Sequence, residues 1–236
     1  MLVSLIIPCY DEADGIPQLC SRLRPLVRQL EAKGGVEIVF VDDGSRDGTQ
    51  RVIEEQAAAL PYRIASHHRN RGVGAAMRTG FAAARGDVLV TLDSDCSYDP
   101  ERVVDLLEAI ASGAEVATGS PYHPKGRVEG VSAWRLVLSR GLSLLYGFAL
   151  PQRLYTYTSC FCAYRREVID RLDAPDDGFL GVTQLLASAI LSQMRVMEVP
   201  AVLTRRRYGQ SKIRVLRVAF AHLWYLAALL QRRIRR

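Results

Sequence analysis

Apolar residues along this chain come in two rhythms. Short, mostly apolar runs at residues 2–7, 36–41 and 88–92 have the length and β-branched content of buried strands. Between them apolar positions recur every third or fourth residue. Ile16, Leu19, Leu23, Leu26 and Leu30 predict a helix whose first turn accommodates Pro17, and Val73, Ala76, Met77, Gly80, Phe81 and Ala84 predict another over 72–84. Asp47-Gly48-Thr49-Gln50 is expected to open a helix by capping, Asp47 accepting from backbone amides while Gln50 reaches back, with Val52, Ile53 and Leu60 turned to the core. Asp99-Pro100 opens a further helix with Val103, Leu106, Leu107 and Ile110 inward. Short strands are expected at 63–66, 160–164 and 196–199, the last two separated by a helical pattern through Leu185, Leu186, Ile190 and Leu191. Strand, helix, strand alternation of this kind predicts an α/β fold with a mainly parallel sheet flanked by helices. Residues 120–132 interrupt it with Pro, Gly and charge and read as a mobile loop, a length at which loops carry function. Residues 134–150 are apolar except for Arg135 and Arg140 and read as a helix resting either on the core or on lipid.

Charge changes the picture at the end of the chain. The formal net charge of +6 is uneven, because residues 204–236 hold ten Arg and Lys and no acid. With Phe220, Leu223, Trp224 and Leu230 among those cations, the segment fits a membrane-interface helix better than a nucleic-acid groove, so no nucleic-acid partner is expected. Its uncharged stretch, 218–231, contains His222 and falls short of the roughly 20 residues a span needs, so it is expected to attach to a bilayer and not to cross it. The division is therefore a domain over 1–212 and a basic amphipathic C-terminal helix over 213–236. At 236 residues and 49% apolar content a sizeable core is expected. Five cysteines without a CxxC pair, and no basic leader before the first strand, point to a reducing cytoplasm and a peripheral place on the cytoplasmic membrane face.

The chemistry concentrates where apolar runs end in acid. Asp93-Ser94-Asp95 closes the run at 88–92, and two carboxylates at a strand end converge on a hard cation once the backbone turns. Mg²⁺ held by so few carboxylates commonly shares its shell with phosphates, so the expected ligand is a nucleotide diphosphate. Asp42-Asp43 closes the second run, and open α/β sheets bind ligands beyond the carboxyl ends of their strands. Gly72-Val73-Gly74 imitates a dinucleotide fingerprint without a long buried strand before it. Its glycines are read as permitting a tight turn and close helix packing, and His67 and His68 as loop or strand-end residues.

Pro8-Cys9-Tyr10-Asp11-Glu12, Val41-Asp42-Asp43-Gly44-Ser45 and Asp93-Ser94-Asp95, at three successive strand ends, together resemble the family 2 glycosyltransferases. Gly119-Ser120-x-Tyr122, Ser159-Cys160-Phe161 and Arg206-x-x-Gly209-x-Ser211-Lys212 resemble its dolichyl- or polyprenyl-phosphate mannosyl- and glucosyltransferase branch, the likeness running from about residue 2 to residue 217. The resemblance implies a GT-A fold and inverting, Mg²⁺- or Mn²⁺-dependent transfer of a hexose from a nucleotide sugar of the GDP-mannose or UDP-glucose type to a polyprenyl phosphate. It implies a nucleoside pocket of Pro8, Tyr10, Glu12, Val41 and Asp43, metal carboxylates at Asp93 and Asp95 with Ser94 in the same binding set, and diphosphate and acceptor-phosphate cations at Arg135, Arg206, Lys212 and Arg214. Where mannosyltransferases of that branch commonly read Gly-Ser-Arg, this chain has Gly119-Ser120-Pro121. His123, Lys125 and Arg127 are the nearby candidates to replace the lost contact.

Acceptor chemistry separates the alternatives. A hydroxyl needs a general base, whereas a phosphate is already ionised. Family members often carry Glu in the helix that starts Gly-Phe. Aligned on Gly178-Phe179, that position is Gln184, which cannot be a base and favours a phosphate acceptor. The rivals are transfer to a hydroxyl of a glycan, protein or small molecule and, from another reaction class, sugar-1-phosphate nucleotidyl transfer. The last would want a Gly-rich basic loop where Tyr10-Asp11-Glu12 stands.

Overall fold

In a computed structural model, which describes residues 1–206 and 215–234, the apolar runs form the middle of one seven-stranded sheet. Strands β1 (Val3–Cys9), β2 (Val36–Asp42), β3 (Tyr62–Ser66) and β4 (Val88–Thr91) are joined by helices α1 (Ile16–Glu31), α2 (Thr49–Gln56) and α3 (Val73–Ala83). A short 3-10 turn at Pro100–Arg102 leads to α4 (Val103–Ala111) and β5 (Val116–Ser120), followed by β6 (Arg127–Glu129), α5 (Ala133–Ala149), β7 (Cys162–Arg165) and α6 (Arg166–Ile169). Helix α7 (Leu180–Leu191), strands β8 (Val196–Pro200) and β9 (Val202–Thr204) and helix α8 (Val215–Ile234) complete it. The sheet order is β3-β2-β1-β4-β7-β5-β8, and β7 alone is antiparallel to its neighbours.

Pro8 lies inside β1. Ile6 and Cys9 accept through their carbonyls from opposite neighbours, Leu92 and Asp43, so by alternation Pro8 faces β4 beyond the last pair, Ile6 with Thr91, where no ladder bond is lost. Every residue of β2 is buried, as in a sheet covered on both faces. One core lies between the sheet and α1, α2 and α4, through Leu5, Ile7, Leu19, Leu23, Ile53 and Leu106. The other lies between the sheet and α3, α5, α7 and α8, through Ile6, Val39, Met77, Tyr146, Leu185 and Leu226.

Three details depart from the sequence reading. At the start of α2 Asp47 does accept from the Thr49 amide at 3.0 Å, but Gln50 does not reach back; its amide donates to Glu54 at 3.0 Å. The burial of Ile53, worth about 1.5–3 kcal/mol against about 1 for a cap, anchors this helix regardless. The expected loop at 120–132 contains β6, which pairs in parallel with β9, a three-residue strand too short to announce itself. Helix α7 forms where the pattern expects one, but it is buried on nearly every side, Thr183, Gln184 and Ser188 included, and not along one face.

Candidate active site

The carboxyl ends of β1 to β5 open into one cleft of about 1730 Å³, larger than the roughly 300–1,000 Å³ of a single small-molecule site and so roomy enough for two substrates. Pro8, Tyr10 and Glu12 enter it from the end of β1, Asp43 from β2, and Asp93, Ser94 and Asp95 from β4. Helix α5 supplies a wall with Arg135 and Ser139, the segment before α7 supplies Asp176 and Asp177, and α8 supplies Arg217 and His222.

Asp93 and Asp95 face this cleft as a crowded pair. Burial first, and then the charge of Asp95, push the Asp93 carboxyl up to about 7. Cys96 bends the chain with φ 55°, and the Ser97 amide donates to Asp95 Oδ1 at 2.9 Å, fixing that side chain. Two hard oxygen-donor side chains this close fit a divalent cation, which relieves the repulsion that a proton on Asp93 otherwise relieves. Among the described residues no group of three Asp, Glu, His or Cys side chains forms a ligand set, so the remaining positions would fall to water and diphosphate oxygens.

Arg206 ties this pair to the nucleoside end. Its guanidinium pairs with Glu12 Oε1, and its Nε lies 3.6 Å from Asp95 Oδ2. Burial works to lower its pKa, but Glu12, then Asp95 and Asp93, outweigh that and raise it above the usual arginine range.

The Glycosyl transferase family 2 model matches residues 4–173. The chain belongs to this family. A dolichol-phosphate mannosyltransferase of Pyrococcus furiosus is 33% identical over 216 residues, covering 91% of this chain and 60% of that protein. A polyprenol monophosphomannose synthase of Mycolicibacterium smegmatis is 37% identical over 217 residues, covering 89% of this chain and 80% of that protein. The chain thus spans less than two thirds of the Pyrococcus relative. Among solved structures, mannosyl-3-phosphoglycerate synthase from Rubrobacter xylanophilus superposes with a TM-score of 0.72 at 17% identity, over 100% of this chain and 76% of that one. A mannosyltransferase from Pyrobaculum calidifontis, in complex with GDP-Man and Mn²⁺, gives 0.65 at 21% identity, over 99% of this chain and 64% of that one. These likenesses place the fold in the GT-A group.

Of the residues that the family motifs single out, the cleft gathers Pro8, Tyr10, Glu12, Asp43, Asp93, Ser94, Asp95, Arg135 and Arg206. Val41 is fully buried in the core beneath α3 and does not line it. Lys212 and Arg214 lie outside the described residues. Asp43 is in the cleft wall with its carboxylate already engaged. Oδ1 faces His67 Nδ1 at 2.6 Å and accepts from the Arg71 amide at 2.9 Å, while Oδ2 accepts from Asn70 Nδ2 at 2.9 Å and the Gly72 amide at 2.7 Å. His67 stands just past the end of β3, within the loop or strand-end reading, and spans from Asp43 to Thr79 Oγ1, 2.8 Å from its Nε2.

The glycines at 72 and 74 do permit close packing. A Cβ on either would lie 2.4 Å or 2.3 Å from the carbonyl oxygens of Asp177 and Asp176 respectively. Gln184 is buried, and its Oε1 accepts from the Asp176 amide at 2.9 Å, so it braces the cleft wall without facing the cleft. His123, Lys125 and Arg127 do not line the cleft, whereas Pro121 and Tyr122 do, Tyr122 under Arg140 at 4.9 Å from the ring centre. Sequence reasoning missed Arg71, Arg205, Arg217 and His222 as lining residues. The two arginines near the C-terminal end were visible as charge, but only tertiary packing turns them toward the site.

Proposed function

We propose that this protein transfers a hexose from a nucleotide sugar of the GDP-mannose or UDP-glucose type to a polyprenyl phosphate, inverting the anomeric centre and depending on Mg²⁺ or Mn²⁺. The observation that carries the reading is one cleft joining a crowded carboxylate pair, several arginines and a wall of two helices whose outer faces are apolar. The two relatives named above, a dolichol-phosphate and a polyprenol-phosphate enzyme, support the same acceptor class.

On this reading Pro8, Tyr10 and Glu12 hold the nucleoside, and Asp43 shapes the pocket through the 67–72 loop. Asp93 and Asp95 hold the cation, which when bound offsets charge developing on the departing diphosphate. Arg206 and Arg135 add fixed positive charge to the same end, with Lys212 and Arg214 assigned to the same anions. The acceptor phosphate attacks as an anion, so no base is needed, in keeping with Gln184 being committed to the Asp176 amide. The catalytic unit is assigned to 1–212, and 213–236 to attachment on the cytoplasmic membrane face. Trp134, Val137, Leu144 and Phe148 on α5 and Phe220, Leu223 and Trp224 on α8 are exposed, an arrangement suited to a bilayer surface. Among the described residues no helix is long and apolar enough to cross a membrane.

A second reading, transfer to a hydroxyl, draws on Asp176, whose carboxylate lies in the cleft wall where a base would be useful. Incubating the purified protein with labelled GDP-mannose or UDP-glucose, Mn²⁺ and a short polyprenyl phosphate distinguishes the two. The expected product is a labelled lipid released by mild acid and absent when EDTA is added. Label appearing only on added glycan or other hydroxyl acceptors would overturn the lipid reading.

A further inference from the structure

Arg206 holds an unusual place for a residue expected to meet phosphate. It comes from the segment just after β9, yet its guanidinium reaches Glu12 at the end of β1 and Asp95 beyond β4. It is partly buried, with a side-chain exposure of 19%, so the carboxylates and not water supply its counter-charge. Asp95 offers two oxygens. Oδ1 is turned to the Ser97 amide, which leaves Oδ2 as the atom a cation entering from the cleft would meet. Oδ2 is the oxygen that Arg206 already faces.

We propose that Arg206 is a resident counter-cation, a positioning residue that a divalent ion displaces from Asp95. Of the two ion pairs described for Arg206, the contact at 3.6 Å is the looser and that with Glu12 the tighter. A dication bound at Asp93 and Asp95 repels a guanidinium at that distance, and the other Asp95 oxygen is already engaged by the Ser97 amide. Glu12 then acts as the pivot. The guanidinium stays tethered at the nucleoside end while its other edge turns toward the diphosphate that accompanies the cation. Arrival of the metal thereby places the arginine on the leaving group, and in the absence of metal the same arginine keeps the acidic cluster partly neutralised. Glu12 acquires a role beyond lining the nucleoside pocket, since it sets where Arg206 waits.

The proposal rests on the cation site of the preceding reading, and Mn²⁺ binding without any nucleotide separates the two. Free Mn²⁺ is titrated by its electron paramagnetic resonance signal against the wild-type protein, Arg206→Gln and Arg205→Gln. Arg205 lines the same cleft but is exposed and lies outside the Glu12–Asp95 network, so it controls for the loss of a positive charge nearby. Removing the competitor should tighten Mn²⁺ binding about three- to tenfold in Arg206→Gln and less than about twofold in Arg205→Gln. Equal affinity in all three, or equal gains in both variants, overturns the exchange alone. Absence of Mn²⁺ binding by the wild type overturns the cation site and the exchange together. Should Arg206→Gln fail to fold, a structure of the wild type with Mn²⁺ decides: Arg206 parted from Asp95 is the expected result, and the pair retained at its present separation overturns the proposal.

Discussion

Asp43 shows how a residue in the cleft wall can also hold a neighbouring loop in place. Its two oxygens meet His67, Asn70 and the amides of Arg71 and Gly72, so the 67–72 loop is hung on one buried carboxylate. An amide cannot accept at both positions, and each donor left unpaired costs about 1–3 kcal/mol. Asp43→Asn is therefore expected to lower the thermal midpoint by about 2–12 °C for each donor left unpaired, on a scale of about 2–4 °C per kcal/mol for a chain of this size, and to weaken nucleotide binding as the loop shifts. Calorimetry with and without GDP or UDP checks both, and an unchanged midpoint would mean that the loop stands without Asp43. At this scale the strand-end acids were legible, because each lies next to the apolar run that positions it. His67 was not, because what gives it a role is contact with Asp43 and Thr79, distant in sequence.

Elements were legible in proportion to how one-sided their burial is. Helices α1 and α3 and strands β1, β2 and β4 follow their periodicity closely, since each has a burial pattern that neighbouring residues can express. Strands β6 and β9, three residues each, carry too little pattern to stand out from loop. Helix α5 answers its own ambiguity by dividing: Ser143, Tyr146 and Ala149 face the core, while Trp134, Val137, Leu144 and Phe148 face out. Helix α8 does the same, with Leu226 and Leu229 inward and Phe220 and Trp224 outward, at 71% and 74% exposure. If those faces meet lipid, replacing Phe220 and Trp224 together by Ala removes two side chains each worth roughly 1.5–3 kcal/mol on burial, and binding to phosphatidylglycerol vesicles should fall at least about tenfold. Co-sedimentation measures it, and undiminished binding would assign the outer faces to another kind of partner.

Across the whole molecule the two apolar cores differ in what they enclose. The core on the α8 side contains His222, fully buried, with Nδ1 2.8 Å from the Tyr146 hydroxyl and with Phe179 and Tyr225 near. Burial lowers its pKa to about 4, with Asp176 opposing, so the folded protein keeps it neutral. Between about 6.5 and 4 the unfolded chain takes up a proton at His222 that the folded one refuses, so the His222 contribution to stability falls as pH falls through that window and levels off below it at a loss of roughly 3 kcal/mol. Asp93, whose folded carboxyl is pushed up to about 7, contributes with the opposite sign over the same range. In urea melts from pH 7 to 4, His222→Gln should therefore keep more of its stability toward pH 4 than the wild type, and parallel curves would place the titration elsewhere.

Arg206 and α8 carry a consequence for biosynthesis. The first half of the chain can assemble β1, β2 and β4 with their acids in place while the rest is still being translated. The arginine that balances Glu12 and Asp95, and the helix that adds to the cleft wall, are translated more than a hundred residues after those acids. Until Arg206 and α8 fold back, the acids at the ends of β1 and β4 lack that counter-charge.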